Sequence, residues 1–385
     1  MKIVVSNSVG RDDLGYYIVH SPSRWSYGCR FYKEVFTYYP WELAYTSSLL
    51  KKYTPYEVKF IDGCLNHWNW EELAENIERE KPNYLIMESA TRTIIEDLKV
   101  ANYIKKALGT KIIFCGQHPS AYPEEVLKIA DFVCIGEYEY TVLDLILGKD
   151  PEKILGLYPN KRRELLNINS LPLPEDEDIR RIDYSIPGEP NCEYVEIQAY
   201  ATRGCPMKCS FCVCANVYYQ KPNWRKREIK NIIEEIKYLK RKYPEMEGIF
   251  FDEENHAQSK SFIAELTRAI IENNLNHLKF NAMCGLWNMD EEMLLYMKQA
   301  GYYKVRIGIE TASEKVAKAM NLGKKYNIPK LRRILPFAKE IGLKIYATFM
   351  VGALGSTRYE DLKTAELIFD LVRDGYINDL QVSIC

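Results

Sequence analysis

The chain has 385 residues, of which 47% are hydrophobic and 27% charged, with 52 basic and 53 acidic side chains. This composition is typical of a folded soluble protein and excludes disordered and collagen-like chains. The formal net charge of −1 provides no overall attraction to nucleic acid or to anionic lipid. At roughly 100–200 residues per domain, the length predicts two or three domains.

The first 149 residues predict alternating strands and helices. Short apolar strands followed by helices are typical of parallel βαβ units, whose ligands bind at the carboxyl ends of the strands. We therefore predict a Rossmann-like α/β domain over residues 1–149. Its predicted strands are Met1–Ser6, Glu57–Asp62, Tyr84–Glu88, Lys111–Cys115 and Phe132–Ile135, and its predicted helices are Glu42–Lys52, Trp70–Glu80, Ile94–Leu108, Glu124–Ile129 and Glu139–Leu147.

The periodicity is lost over residues 150–193, which are rich in Pro, Asn and charge and predict a linker or wrapping segment. It resumes over residues 194–385. Six strand–helix steps are too few for a closed eightfold barrel and predict a partial (β/α)6 barrel, with its site on the loops after the strands. The predicted strands are Tyr194–Ala201, Gly248–Asp252, Lys279–Met283, Lys304–Ile309, Lys344–Val351 and Leu380–Ile384; the predicted helices are Arg225–Lys242, Lys260–Glu272, Glu291–Ala300, Glu314–Met320, Ile328–Ile341 and Tyr359–Asp374.

The cysteine pattern indicates a metal site rather than a disulfide framework. The chain has eleven cysteines, an odd number with uneven spacing. The first residues turn polar at once, unlike a secretory signal, and no apolar run approaches the roughly 20 residues of a membrane-spanning helix. We therefore expect a protein of the reducing cytoplasm without a transmembrane segment.

Three cysteines follow the first predicted strand of the second domain. Cys205, Cys209 and Cys212 have the spacing C-x-x-x-C-x-x-C. Three thiolates can hold a 4Fe–4S cluster, which normally takes four cysteine ligands, so that one iron stays open for substrate chemistry. The alternatives are a structural zinc site with Cys214 as fourth ligand, or buried thiols without a metal. No matching pair of cysteine or histidine follows, which disfavours zinc.

Further segments follow these cysteines in a recognisable order. Phe211 precedes the third cysteine, and Ile249–Glu254, Val305–Thr311 and Thr348–Gly352 each end a predicted strand. With these motifs the second domain resembles the radical S-adenosylmethionine enzymes. The resemblance implies that the open iron chelates the amino and carboxylate groups of S-adenosylmethionine, and that reductive cleavage gives a deoxyadenosyl radical.

The same resemblance implies roles for single residues. The three cysteines would ligate the cluster, and the backbone near Phe211 would meet adenine. Asp252 and Glu253 would accept hydrogen bonds from the ammonium group of the cofactor, and Glu310 would hold its ribose or its methionine end. The acidic run could instead be a solvated loop, and Glu310 a salt-bridge partner. The predicted S-adenosylmethionine set is Phe211, Asp252, Glu253, Gly308, Glu310 and Gly352.

The first domain carries a second resemblance. Cys115–Pro119, Pro123–Val126 and Asp131–Glu139 resemble the cobalamin-binding domain that precedes many radical S-adenosylmethionine cores. Its glycines would permit close approach of a bulky ligand at the sheet edge. A nucleotide-binding or vestigial domain is the alternative. The predicted cobalamin contacts are Ser89, Thr91, Gly116, His118, Gly136 and Glu137.

One departure concerns the cobalt ligand. The chain has no D-x-H-x-x-G sequence, by which some cobalamin domains supply a histidine to cobalt. His118 could contact the corrin or be a structural histidine. The aromatic side chains of Tyr16–Tyr45 could cap the cofactor, or pack in the core.

Together the two resemblances imply a cobalamin-dependent radical S-adenosylmethionine enzyme, most simply a methyltransferase. The deoxyadenosyl radical would take hydrogen from an unactivated carbon, and methylcobalamin would supply the methyl group. The alternatives are cyclisation or rearrangement with the same cofactors, and a non-catalytic cobalamin or iron–sulfur binding protein. Methylthio transfer to nucleic acid fits poorly, because the neutral chain offers no track for phosphates.

The expected partners follow from this chemistry. They are an external electron donor such as ferredoxin or flavodoxin and a small-molecule, lipid or peptide substrate, without nucleic acid. The sequence ends at Cys385, with the sixth predicted strand, whereas relatives usually continue through a further helix and domain. We expect either a truncated chain or a member without that substrate-shaping cap.

Overall fold

A computed structural model describes residues 1–20, 28–31, 36–188 and 192–385. Its contacts divide the chain into two compact units, Met1–Tyr184 with Cys212–Gln220 and Ser185–Phe211 with Lys221–Cys385. The predicted domain bounds, 1–149, 150–193 and 194–385, stay a prediction. Residues 21–27 and 32–35 of the aromatic segment singled out in the sequence lie outside the described residues.

The first unit contains a five-stranded parallel sheet and, apart from it, an antiparallel hairpin. Its strands are β1 (Lys2–Ser6), β2 (Tyr17–His20), β3 (Gly28–Phe31), β4 (Glu57–Ile61), β5 (Tyr84–Glu88), β6 (Lys111–Cys115) and β7 (Phe132–Val133). Its helices are α1 (Trp41–Tyr53), α2 (Trp70–Glu80), α3 (Ile94–Leu108), α4 (Gln117–Ala121), α5 (Pro123–Val126) and α6 (Glu139–Ile146). The sheet order β4-β1-β5-β6-β7 is that of a doubly wound domain and confirms the predicted α/β class.

Apolar side chains explain this sheet. Val4, Leu85, Ile112 and Phe114 are fully buried on neighbouring strands and pack with Leu73 and other residues of the helices in one core. Strands of a parallel sheet are covered on both faces, which is why they read as continuous apolar runs in the sequence.

The second unit contains a six-stranded parallel sheet in the order β15-β14-β13-β12-β11-β8, and a short antiparallel pair. Its strands are β8 (Glu196–Ala199), β9 (Thr202–Arg203), β10 (Arg225–Lys226), β11 (Gly248–Phe251), β12 (Lys279–Cys284), β13 (Tyr302–Glu310), β14 (Lys344–Val351) and β15 (Asp379–Ile384). Its helices are α7 (Ile229–Lys242), α8 (Lys260–Glu272), α9 (Glu291–Ala300), α10 (Glu314–Ala319), α11 (Ile328–Glu340) and α12 (Arg358–Arg373). Six parallel strands in chain order confirm the predicted partial (β/α)6 barrel.

The structure corrects several predicted elements. The helix predicted from Arg225 begins at Ile229, because Arg225 and Lys226 pair as β10 with Arg203 and Thr202 of β9. The strand predicted to reach Ile135 ends at Val133, and the helix predicted over Glu124–Ile129 spans Pro123–Val126. The hairpin β2–β3, helix α4 and a short π-helix, Cys214–Tyr218, were not predicted.

Within the described ranges, every helix is too short or too polar to cross a lipid bilayer.

Candidate active site

Cys205 and Cys209 lie on the loop that leaves β9, beyond the carboxyl end of the first barrel strand. Gly204 opens this loop with a φ of 95°, and its N–H donates to Glu254 Oε2 at 2.8 Å. A Cβ at this position would lie 2.0 Å from Asn223 Oδ1, so the loop requires glycine here. The backbone N–H of Asn223 donates to the carbonyl oxygen of Cys205 at 3.0 Å. The start of the loop is therefore fixed from two sides.

The rest of this loop is held by residues that follow α10. The N–H of Ser210 donates to the carbonyl oxygen of Met320 at 2.9 Å. The side-chain amide of Asn321, which has a φ of 53°, donates to the carbonyl oxygen of Lys208 at 2.6 Å. Residues far apart in sequence thus set the path of the cysteine loop.

The three cysteines differ in exposure. Cys209 is buried, whereas Cys205 and Cys212 are partly exposed. Cys212 belongs to the first unit, where its carbonyl oxygen accepts from the side-chain amide of Asn216 at 2.8 Å. Across the described residues, no three His, Cys, Asp or Glu side chains are grouped as a metal ion would require. The assignment of the three thiols as ligands of an iron–sulfur cluster therefore stays a prediction from their spacing.

Two acidic residues directly follow β11. Asp252 and Glu253 are both buried. Glu253 Oε2 accepts from the N–H groups of Ala201 and Thr202, at 2.6 and 2.7 Å, and Oε1 lies 2.5 Å from His256 Nδ1. Both oxygens of Glu253 are thus bonded within the chain, and the cofactor contact that the resemblance implied stays a prediction. Glu253 fixes the approach to the cysteine loop, and Asp252 remains the proposed partner of the ammonium group.

Sequence reasoning missed the groups behind Glu253. The ring of His256 is fully buried and stacks on Phe251 at 4.5 Å between centroids. Its Nε2 lies 2.6 Å from the hydroxyl of Tyr302, whose pKa is raised by burial. Both ring nitrogens of His256 are thus within hydrogen-bond distance of buried oxygen atoms, Nδ1 of the Glu253 carboxylate and Nε2 of the Tyr302 hydroxyl. A histidine three residues after a strand-end acid was the available signal.

Glu310 ends β13 with a left-handed backbone, at a φ of 67°, beside a register shift between β13 and β14. Its carboxylate is paired with the ammonium group of Lys325. A Cβ on Gly308 would lie 2.3 Å from Glu310 Oε1 and 2.6 Å from Lys325 Nζ. Gly308 therefore makes room for this ion pair, and the bent backbone of Glu310 is the strain expected at a functional position.

Lys325 was not singled out in the sequence. Its Nζ lies 5.6 Å from the ring centroid of Phe211, which is itself part of the cysteine motif. Burial would lower the pKa of Lys325, but Glu310, together with the thiols of Cys209 and Cys205, raises it above its ordinary value. The ammonium group is therefore charged at neutral pH. A lysine in a loop gives no sequence signal, since the contact with Glu310 depends on the fold.

Gly352 follows β14 with a φ of 69°. Its N–H points to the carboxylate of Asp361, 3.2 Å from Oδ2. A Cβ would lie 2.9 Å from the carbonyl oxygen of Cys385. This glycine is required by the turn itself.

In the first unit, strand order reverses between β1 and β5, where doubly wound domains bind ligands. Asp97 is fully buried there. It accepts from the hydroxyl groups of Ser8 at 2.6 Å, Ser89 at 2.5 Å and Thr93 at 2.8 Å. Burial raises the pKa of Asp97 to about 6, although these hydrogen bonds oppose the shift. The hydroxyl of Ser89, a predicted cobalamin contact, is thus engaged with a buried acid.

Two other predicted contacts lie together. Nδ1 of His118 is 3.1 Å from the hydroxyl of Thr91. The ring is buried, and its Nε2 has no hydrogen-bond partner among the described residues; the nearest carboxylate, on Glu125, is 3.8 Å away. Burial lowers the pKa of His118, so the ring is neutral at neutral pH. A buried nitrogen without a partner is the kind of group that a ligand satisfies.

Other parts of the chain approach the two predicted glycines closely. A Cβ on Gly116 would lie 2.8 Å from the carbonyl oxygen of Ser89, and one on Gly136 would lie 2.8 Å from Arg162 Nη1. The chain itself thus occupies the Cβ direction of both glycines, and the approach of a ligand to their backbone stays a prediction. Glu137 accepts from a backbone N–H of the segment predicted as a linker, at 2.9 Å. These three residues shape the strand-end loops.

Comparison with known proteins identifies both domains. Residues 200–368 match the radical SAM superfamily, and residues 35–146 match the B12-binding domain. The chain therefore carries a B12-binding domain followed by a radical SAM domain. Its cofactors are a 4Fe–4S cluster, S-adenosylmethionine and cobalamin.

Relatives of this radical S-adenosylmethionine enzyme differ in their named activities. An uncharacterized methyltransferase of Pyrococcus horikoshii, PH0819, is 25% identical over 83% of this chain and 71% of its own length. An anaerobic magnesium-protoporphyrin IX monomethyl ester cyclase of Rubrivivax gelatinosus is 25% identical over 86% of this chain, which spans only 61% of the cyclase. The radical S-adenosylmethionine methyltransferase TsrM of Kitasatospora setae has the same fold, with a TM-score of 0.75 at 14% identity, over 99% of this chain and 72% of TsrM.

The residues present suit the three cofactors of this radical S-adenosylmethionine enzyme. Cysteine thiols suit an iron–sulfur cluster, and the buried carboxylate of Asp252 suits a cofactor that carries positive charge. Glu310, whose charge is balanced by Lys325, suits a neutral hydroxyl donor such as ribose. The buried Nε2 of His118 supplies a polar group for cobalamin.

Proposed function

We propose that this enzyme transfers a methyl group to an unactivated carbon of a small-molecule, lipid or peptide substrate. The observation that carries the proposal is the presence of a radical SAM domain and a B12-binding domain in one chain. When bound, the cluster with S-adenosylmethionine supplies the power to abstract hydrogen from carbon, and cobalamin supplies a transferable methyl group.

The chain's own residues bind and orient these groups. In this proposal Cys205, Cys209 and Cys212 ligate the cluster. Asp252 and Glu310 bind the charged end and the ribose of S-adenosylmethionine, with the backbone near Phe211 against adenine. Gly308 and Gly352 shape the strand ends that present these residues. Glu253 fixes Ala201 and Thr202, which lead into the cysteine loop.

In the first unit, His118 and Thr91 are the proposed direct contacts of cobalamin. Support comes from the buried Nε2 of His118, and from the hydrogen bond to Thr91 that fixes the ring. Ser89, Gly116, Gly136 and Glu137 define the strand-end loops around them.

The proposal extends to the surroundings of the enzyme. We place it in a reducing cytoplasm, because eleven cysteines, an odd number with uneven spacing, do not suit a disulfide framework. An external one-electron donor of the ferredoxin or flavodoxin type would reduce the cluster. A net charge of −1 favours a substrate other than nucleic acid.

Cyclisation without methyl transfer is the second candidate, favoured by the match to the cyclase of Rubrivivax gelatinosus. The two activities differ in the fate of the methyl group. The reconstituted enzyme is incubated anaerobically with reductant, methyl-labelled S-adenosylmethionine and a metabolite extract of the source organism, and products are read by mass spectrometry. Methyl transfer gives S-adenosylhomocysteine and one extract component that gains the label. A component that loses hydrogen without gaining label would contradict it and establish cyclisation.

A further inference from the structure

Lys325 belongs to one turn of 3-10 helix, Gly323–Lys325, that follows α10. This turn lies against the cysteine loop, because a Cβ on Gly323 would be 3.4 Å from the terminal methyl carbon of Met207. The preceding Asn321 is bonded to the same loop through its side-chain amide. The lysine is thus carried by a segment that is anchored to the cysteine motif.

The ammonium group of Lys325 has little freedom of position. Its side chain is 14% exposed and is paired with Glu310. The position of Gly308 leaves no room for a side chain, since a Cβ there would be 3.0 Å from Lys325 Cε. Phe211 covers the group from the side of the cysteine motif. One fixed positive charge is therefore placed between a proposed S-adenosylmethionine contact and the cysteine loop.

We propose that Lys325 is a positioning residue that stabilises the reduced state of the cluster and holds the carboxylate of Glu310 in place. The inference rests on the proposed ligand roles of Cys205 and Cys209. A cluster with three thiolates gains one negative charge when it accepts one electron from an external reductant, and no bond forms or breaks. Net charge near a cluster is a main determinant of its reduction potential. A cation held against the cysteine motif therefore raises that potential.

The test compares four full-length proteins, each reconstituted anaerobically with iron and sulfide: wild type, Lys325→Gln, Lys325→Arg and Lys324→Gln. Lys324 is the matched control, because it is the exposed neighbour in the same helical turn. The midpoint potential of the cluster is measured without S-adenosylmethionine, by titration with titanium(III) citrate and electron paramagnetic resonance. Iron content is measured on each sample.

We expect the midpoint potential of Lys325→Gln to shift to a more negative value, while Lys325→Arg and Lys324→Gln stay near wild type. An unchanged potential in Lys325→Gln overturns the inference and leaves the proposed function intact. A wild-type chain that takes up no cluster overturns the ligand assignment and the inference together.

The variant Glu310→Gln tests the effect of the Lys325 charge independently, by changing its partner. It removes the carboxylate that neutralises Lys325, so the midpoint potential should shift to a less negative value. This variant decides the question if Lys325→Gln does not retain a cluster. A shift of Glu310→Gln in the negative direction, or none, overturns the inference.

Discussion

Glu253 and Asp252 are adjacent acids whose surroundings assign them different tasks. The carboxylate of Glu253 accepts two backbone hydrogen bonds and contacts His256, all within the protein. Because the two acids are adjacent in the sequence, the same role was predicted for both, namely binding of the ammonium group of S-adenosylmethionine. Only the fold distinguishes them, because the donors belong to residues 201 and 202, some 50 positions earlier in the chain.

Glu253→Gln should weaken both stability and cluster binding. The amide oxygen is a weaker acceptor than the carboxylate for the two N–H groups, and the amide NH2 group meets Nδ1 of His256, so His256 must change its tautomer or lose a hydrogen bond. Leaving a buried donor unsatisfied costs about 1–3 kcal/mol. Urea unfolding of the metal-free chain should show a loss of this size, and iron content after reconstitution should fall. Glu272→Gln, at an exposed position of α8, is the control. If Glu253→Gln keeps the stability and the iron content of wild type, the hydrogen bonds of Glu253 have no such role.

Asp97 predicts a pH dependence of stability. Its pKa is raised to about 6 in the folded chain, above the ordinary value of 3.8, so the folded state binds a proton that the unfolded state releases between these values. Stability from this group is present below pH about 4 and is lost as the pH rises through 6, by about 3 kcal/mol.

The Asp97→Asn variant tests this sign. Its free energy of unfolding relative to wild type should improve as the pH rises from about 4 to 7, because the amide does not ionise. Denaturant unfolding at several pH values measures the difference, with the exposed Glu366→Gln as control. A constant difference between the two proteins across this range would contradict a raised pKa.

His118→Ala should reduce the retention of cobalamin. The variant removes the buried Nε2 that has no protein partner, and the ring that Thr91 orients. A lost hydrogen bond to a ligand corresponds to about 1 kcal/mol, or several-fold in affinity. The absorbance of corrin that stays with the protein after gel filtration gives the result. His277→Ala, at an exposed histidine, should match wild type; equal retention in all three proteins would remove His118 from the site.

At the scale of elements, the end of β13 combines three unusual backbone features of the second unit. Gly308, the bent backbone of Glu310 and the register shift with β14 occur within three residues. Because Gly308 has no side chain, the Glu310 carboxylate and the Lys325 ammonium group can meet beside its Cα.

Gly308→Ala should therefore weaken the binding of S-adenosylmethionine. The added methyl group collides with the Glu310 carboxylate and displaces it, for which we expect about a tenfold rise in Kd, or 1.4 kcal/mol. Anaerobic equilibrium dialysis of the reconstituted enzyme measures this Kd. Glu272→Gln, at an exposed position of α8, is the control. Unchanged binding in Gly308→Ala would contradict the proposed role of Glu310.

The long strands and helices could be predicted from the sequence because apolar runs and helical periodicity extend over many residues. The pair β9–β10 could not, since two residues carry no period, and Arg225 and Lys226 read as the start of a helix. The π-helix Cys214–Tyr218 has no sequence signature. Lys325 was missed because its partner, Glu310, is 15 positions away and meets it only in the folded chain.

At the scale of the whole molecule, the sequence predicted the order of two cofactor domains, which the family matches confirm. The cysteine spacing and the strand-end motifs carried that prediction, because they encode chemistry directly. The order of Gly116 and Gly136 in the chain indicated the first domain, whereas their role as cobalamin contacts stays a prediction. Motifs predict cofactors from a sequence because their chemistry is local, but single contacts depend on the folded chain.

One anaerobic sample tests the central claim that this chain uses both cofactors. The protein is reconstituted with iron, sulfide and hydroxocobalamin, freed of unbound corrin, and incubated with S-adenosylmethionine and a strong reductant. We predict retained corrin together with deoxyadenosine, and loss of deoxyadenosine but not of corrin when Cys205, Cys209 and Cys212 are replaced by alanine. Deoxyadenosine without retained corrin, or equal deoxyadenosine from the cysteine variant, would contradict the account.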